Sequence, residues 1–134
     1  MSETAASGIA TGGCLCGAVR YEVQRPLRYV VLCHCAMCRR THGHFAAYTA
    51  APKQALRLVE AHGLKWYASS TFARRGFCRE CGASLFWERP AGELISIAVG
   101  TLDAPTGLRS TLQIFVAEAA DYYTLPQDVP QRAA

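Results

Sequence analysis

Seven cysteines stand in a chain of 134 residues, at Cys14, Cys16, Cys33, Cys35, Cys38, Cys78 and Cys81. They fall into a C-x-C pair, a C-x-C-x-x-C run and a C-x-x-C pair. An odd count excludes complete internal disulfide pairing, and the density is below the roughly 8–10% of a small disulfide scaffold. In Cys78-Arg79-Glu80-Cys81-Gly82 two sulfurs converge on one side of a tight turn. The glycine permits positive φ, and nearby backbone N–H groups can point at the thiolates. This supplies half of a tetrahedral zinc site. The chain contains no C-x-x-H or H-x-x-H spacing, so the other half must be a second cysteine pair. Cys14-Leu15-Cys16 has glycine on both sides, Gly13 and Gly17, which lets the backbone turn and bring its sulfurs together. Cys14, Cys16, Cys78 and Cys81 are therefore the economical set for a closed structural zinc site.

Cys33, Cys35 and Cys38 remain, in Cys33-His34-Cys35-Ala36-Met37-Cys38-Arg39-Arg40. Three cysteines within six residues can share one ion if the segment turns through a helical loop. Three protein ligands plus an open position is the catalytic zinc pattern, whereas four ligands is the structural one. Three thiolates on a divalent ion leave the site at net −1, a weak Lewis acid that favours exchange of a soft fourth ligand such as a substrate thiol. A bound thiol would be deprotonated at neutral pH and ready as a nucleophile. Arg39 and Arg40 could offset the charge or bind a substrate carboxylate, or be solvated surface cations. Arg74 and Arg75 could face the same pocket or water. Two alternatives stay open for the trio: a second closed site completed by His34, His42 or His44, and a C-x-x-C redox pair.

Short strands must position these residues. Val19, Tyr21 and Val23 alternate onto one face of Ala18 to Val23. Tyr29 to Leu32, Phe45 to Thr49, Ala55 to Val59, Leu64 to Ala68, Ser84 to Trp87, Leu94 to Val99 and Leu112 to Ala117 read as further strands. Many short strands between turn residues imply a mainly all-β domain rather than βαβ units. Helical turns are expected only at Ala36 to Thr41 and near Asp121-Tyr122. Trp66, Tyr67, Phe86 and Trp87 read as core. One zinc-binding domain over residues 12–125 is expected, between flexible tails at 1–11 and 126–134. The first 13 residues show neither a basic n-region nor an apolar h-region, and no apolar run approaches the roughly 18–20 residues of a membrane span. A cytoplasmic protein with reduced thiols is the expectation. Net charge is +4, too mild to suggest a nucleic-acid zinc ribbon.

The motifs Gly13-Cys14-Leu15-Cys16-Gly17-Ala18-Val19-Arg20-Tyr21, Cys33-His34-Cys35-Ala36-Met37-Cys38-Arg39-Arg40 with Gly43 and Phe45, and Phe77-Cys78-Arg79-Glu80-Cys81-Gly82-Ala83-Ser84-Leu85 together resemble those of the glutathione-dependent formaldehyde-activating enzyme family, also called the centromere protein V family. The resemblance runs over roughly Gly12 to Tyr123. It implies a β-tent of antiparallel sheets pinned by zinc, with two Zn2+ per chain. Cys14, Cys16, Cys78 and Cys81 match the family's structural ligands, and Cys33, Cys35 and Cys38 its catalytic ones. The implied activity is that of a carbon–sulfur lyase joining formaldehyde to the glutathione thiol, so the implied partners are a small thiol and an aldehyde. Where many members carry a basic residue and a Trp, this chain has Glu118 and Asp121, adding negative charge where an anionic tripeptide would bind. A protein-binding module stabilised by zinc, without catalysis, is the reading from a different class.

Overall fold

The computed structural model describes residues 7–134. The strands are β1 (Ile9–Gly13), β2 (Arg20–Gln24), β3 (Val30–Cys33), β4 (Ala46–Pro52), β5 (Leu56–Glu60), β6 (Leu64–Ala68), β7 (Arg74–Cys78), β8 (Ser84–Glu88), β9 (Leu94–Ala98) and β10 (Ser110–Ile114). One α-helix, α1 (Ala36–His42), follows β3. The strands form a three-stranded sheet, β1-β2-β5, and a seven-stranded sheet, β10-β3-β4-β9-β8-β7-β6. The fold is mainly β, as the spacing of the apolar runs implies. Every pairing between these strands is antiparallel except one: β10 returns to lie parallel to β3. Parallel neighbours need a long crossover rather than a hairpin, and here the connection is the rest of the sheet.

The period-two pattern of β2 holds in three dimensions. Val19, Tyr21 and Val23 are buried and pack with Leu85, Phe86, Ile95, Ile97 and Leu102 into the main core. Each such side chain contributes about 1.5–3 kcal/mol when fully buried. The second cluster is smaller and consists of Cys33, Cys38, Ala46, Tyr48 and Ala98, with Cys35, Trp87, Ile114 and Phe115 packed against it. The two cysteine groups therefore sit on different cores. Of the aromatics expected inside, Phe86 is buried, Trp66 is half-buried against it, and Tyr67 is exposed.

Two strands lie outside the runs read from the sequence. β1 alternates in burial, and Gly12 stands on its inner side, where a Cβ would run into the Tyr21 hydroxyl and the Thr101 carbonyl. In β7 the charged Arg74-Arg75 hides a strand. Arg74 pairs across the register with Glu88 on β8, and Arg75 turns inward, 6% exposed.

Parts of both chain ends lie against the sheets. Residues 1–6 lie outside the described residues, whereas Ile9 to Thr11 belong to β1. The segment 126–134 runs beside β10: the Gln113 N–H donates to the Pro130 carbonyl, the Arg132 N–H to Gln113, and the Val116 N–H to Arg132. The strand expected through Ala117 ends at Ile114, because Phe115 adopts a left-handed conformation (φ 55°) and a 3-10 turn follows at Val116–Glu118. A separate turn forms at Asp121-Tyr122, where a helical turn is expected. At α1 the expected helical turn forms and extends one residue further, stopped by Gly43 at φ 81°, a conformation glycine adopts without strain.

Candidate metal centres

The Cys14, Cys16, Cys78 and Cys81 sulfurs lie within 4.8 Å of one another, although the two pairs are 62 residues apart. Cys14 and Cys16 follow β1, in the turn to β2, and Cys78 ends β7. The group therefore joins the edge of the small sheet to the large one. Gly17 (φ 88°) and Gly82 (φ 80°) sit just past each pair. Backbone N–H groups point at sulfur as the knuckle requires: Val19 to Cys14 Sγ at 3.2 Å and Cys81 to Cys78 Sγ at 3.5 Å. The Cys14–Cys16 and Cys16–Cys78 Sγ separations are both 3.8 Å. A tetrahedron with Zn–S bonds of ~2.3 Å has edges of about 3.8 Å, which these two separations match. The Cys81 thiol is held down to about 6, first by the Ala83 backbone N–H and then by Cys16.

The Cys33, Cys35 and Cys38 sulfurs form a second group with the same mutual limit of 4.8 Å. Cys33 ends β3, Cys35 is the N-cap of α1, and Cys38 lies in its first turn, donating its N–H to Cys35 Sγ at 3.3 Å. An N-cap residue turns its side chain back onto the helix, and this folds the run so that all three sulfurs converge. Within the trio the Cys33 hydrogen bond and then Arg75 hold the Cys38 thiol down to about 6, while the same contact with Cys38 and burial push Cys33 upward. No histidine joins the group among the described residues.

The three candidate fourth ligands are engaged elsewhere. His34 is fully buried, with Nε2 2.8 Å from Gln113 Oε1 and Nδ1 2.6 Å from the Tyr123 hydroxyl. The Gln113 amide nitrogen donates to the Pro126 and Val129 carbonyls. Its oxygen must therefore accept from His34 Nε2–H, which leaves Nδ1 to accept from Tyr123. His42 Nε2 meets the Tyr48 hydroxyl at 2.8 Å, and His44 Nδ1 meets Tyr122 at 2.7 Å.

The trio opens onto a cavity of about 720 Å3, whose walls include Met37, Trp87 and Phe115 beside Arg28, Arg75 and Arg89. None of the four cysteines of the first group lines it. Arg39 and Arg40 are absent from its lining. Arg75 is there instead, with Nη2 3.6 Å from Cys38 Sγ. Of the two arginines that could face this pocket or water, Arg75 lines the cavity and Arg74 does not. Trp87, expected in the core, is also a wall of this cavity. Glu118 lines it too, but its Oε1 accepts the Ala36 N–H at 3.0 Å, while the exposed Asp121 does not reach it. Among the described residues no helix is long and apolar enough to cross a membrane.

Comparison with known proteins agrees with this arrangement. Residues 9–118 match the family model described as glutathione-dependent formaldehyde-activating enzyme. An uncharacterized lyase of Schizosaccharomyces pombe is 34% identical over 83 residues, covering 61% of this chain and 59% of that protein. The aligned part thus spans somewhat over half the relative's length. A crystal structure of a Rhodobacter sphaeroides protein superposes with a TM-score of 0.58 at 33% identity, covering 75% of this chain and 99% of that one.

Proposed function

The chain belongs to the glutathione-dependent formaldehyde-activating enzyme family, and on that premise we propose that it is a zinc-dependent carbon–sulfur lyase of the S-(hydroxymethyl)glutathione synthase type. Its reaction is the reversible addition of a thiol, glutathione or one like it, to formaldehyde or another small aldehyde. Cys14, Cys16, Cys78 and Cys81 hold a structural zinc, and Cys33, Cys35 and Cys38 hold the catalytic one. The observation that carries this division is that the three-cysteine group alone opens onto a large cavity. Seven free cysteines fit a reducing, cytoplasmic setting.

The chemistry a zinc ion supplies in such a site is to keep a bound thiol deprotonated at neutral pH. The chain's own residues do the rest. Cys35, by capping α1, and Cys33, at the end of β3, present their sulfurs toward the cavity. Met37, Trp87 and Phe115 give it apolar walls that limit water. Arg28, Arg75 and Arg89 outnumber Glu118 as charges and favour an anionic thiol. In the addition a sulfur–carbon bond forms, the carbonyl π bond opens, and the thiol proton ends on the new hydroxyl oxygen. The step is redox-neutral. It also proceeds unaided in water, so the protein's contribution is proximity and a ready thiolate.

The test uses the whole chain loaded with zinc. Two ions per chain are expected, and Cys35→Ser should keep one. Exchange between formaldehyde and S-(hydroxymethyl)glutathione, followed by NMR, should be accelerated by wild type and not by Cys35→Ser. A wild-type protein holding two ions that accelerates no thiol–aldehyde addition would refute the proposal.

A further inference from the structure

The side chain left unexplained by the metal centres is Arg75. It is 6% exposed, and among the described residues no carboxylate lies within ion-pairing distance of it. Its neighbour on β7, Arg74, shows the ordinary arrangement, with Nη2 2.6 Å from Glu88. Arg75 instead donates to Cys38 Sγ (3.6 Å) and the Tyr48 hydroxyl (3.4 Å), while its buried Nε has no partner. A guanidinium out of water and without an anion is costly. The groups within its reach that can carry negative charge in numbers are the three cysteines.

We propose that Arg75 is the built-in counter-charge of the three-cysteine centre, a positioning residue whose charge lets a substrate thiolate join three protein thiolates. This rests on the functional reading above. Three thiolates around a divalent ion carry net −1, and a fourth thiolate takes the set to −2. In a partly buried cavity that second charge is opposed strongly unless a fixed cation stands alongside. Arg75 also lines the smaller cavity of about 300 Å3 beside Thr41, Tyr67 and Ser84.

The experiment is a titration of Co2+-loaded protein with 2-mercaptoethanol, an otherwise uncharged thiol, followed by the thiolate-to-cobalt absorption band. Glutathione is titrated in parallel, and Co2+ uptake by the four-cysteine group reports folding. Arg75→Gln is expected to weaken binding of both thiols by about tenfold to hundredfold, the scale of a charge-assisted contact. Arg75→Lys, which keeps the charge, should stay within about threefold of wild type. Unchanged 2-mercaptoethanol binding in Arg75→Gln overturns the inference, and so does a loss confined to glutathione, which would make Arg75 a carboxylate anchor. Should Arg75→Gln not fold, a tenfold loss in Arg75→Lys overturns it equally. Failure of wild type to bind either thiol would instead refute the functional reading itself.

Discussion

Gly63 offers a test of how closely the four-cysteine centre is built into the fold. It precedes β6, donates its N–H to the Ala18 carbonyl (3.0 Å) and accepts from the Arg79 N–H (2.7 Å). It therefore binds the turn after Cys16 to the knuckle that holds Cys78. A Cβ at Gly63 would stand 2.6 Å from Ala18 Cβ and 2.9 Å from Cys78 Sγ. Ordinary non-bonded carbon contacts are about 3.5–4.0 Å, so with Gly63 held in place the Ala18 methyl must retreat by roughly 0.9 Å and the sulfur by roughly 0.6 Å or more. Metal–ligand distances tolerate about 0.2 Å. Gly63→Ala should therefore cost about 1–3 kcal/mol as overpacking and weaken metal binding at this centre as well. At about 4 °C per kcal/mol for a chain of this size, a central loss of 2 kcal/mol lowers Tm by about 8 °C. The control is Gly100→Ala, whose Cβ meets nothing within 4 Å and whose effect should stay within about 0.5 kcal/mol. Thermal unfolding and competition with a zinc chelator give both readouts. If Gly63→Ala matches Gly100→Ala in Tm and in zinc affinity, the close-packed account of this centre is wrong.

Two further outcomes follow from buried polar groups. Gln113 links His34 to the Pro126 and Val129 carbonyls, so Gln113→Leu should cost about 2–4 kcal/mol and speed amide hydrogen exchange at Val116, Ala117 and Arg132; unchanged exchange there would refute its role as the clasp of the C-terminal segment. His42 is pressed down to about 4, first by burial and then by Arg75. A histidine lowered in the fold contributes stability that is complete above its ordinary value near 6.5 and is lost as pH falls toward 4, because the unfolded chain takes up the proton first. Partial exposure of the ring discounts the full shift to about 2 kcal/mol. Urea unfolding at pH 7 and pH 5 should show a smaller loss for His42→Gln than for wild type, and equal losses would contradict this assignment.

Much of the metal chemistry was legible because ligand spacing is local. The C-x-x-C-G knuckle, the glycines flanking Cys14-Leu15-Cys16, and the C-x-C-x-x-C run wrapped round a helix N-cap each shape themselves over a few residues. Pairing Cys14 and Cys16 with Cys78 and Cys81 was the economical choice, because the glycines flanking Cys14-Leu15-Cys16 let its sulfurs turn together and the chain has no C-x-x-H or H-x-x-H pair. The alternating strand at Val19, Tyr21 and Val23 was legible for the same reason, since period two and burial on one face are a single fact. Strands β1 and β7 were not. Position 12 takes glycine because Tyr21 and Thr101 leave no room for a side chain, and Arg74 is accommodated in a strand because Glu88 meets it from β8. Both causes are distant in sequence.

What the amino-acid order determined by itself was the division of seven cysteines into four and three, and the mainly β character of the chain. What only the tertiary structure decided was which group opens onto a cavity and which arginines line it. Arg39 and Arg40 adjoin Cys38 in sequence, but α1 carries them away from the cavity. Arg75, 37 residues further on, is delivered to Cys38 by the inward face of β7. Covalent neighbours share a backbone, whereas a charge acts through space, and only the packing of β7 beside α1 fixes which charge acts on the sulfur.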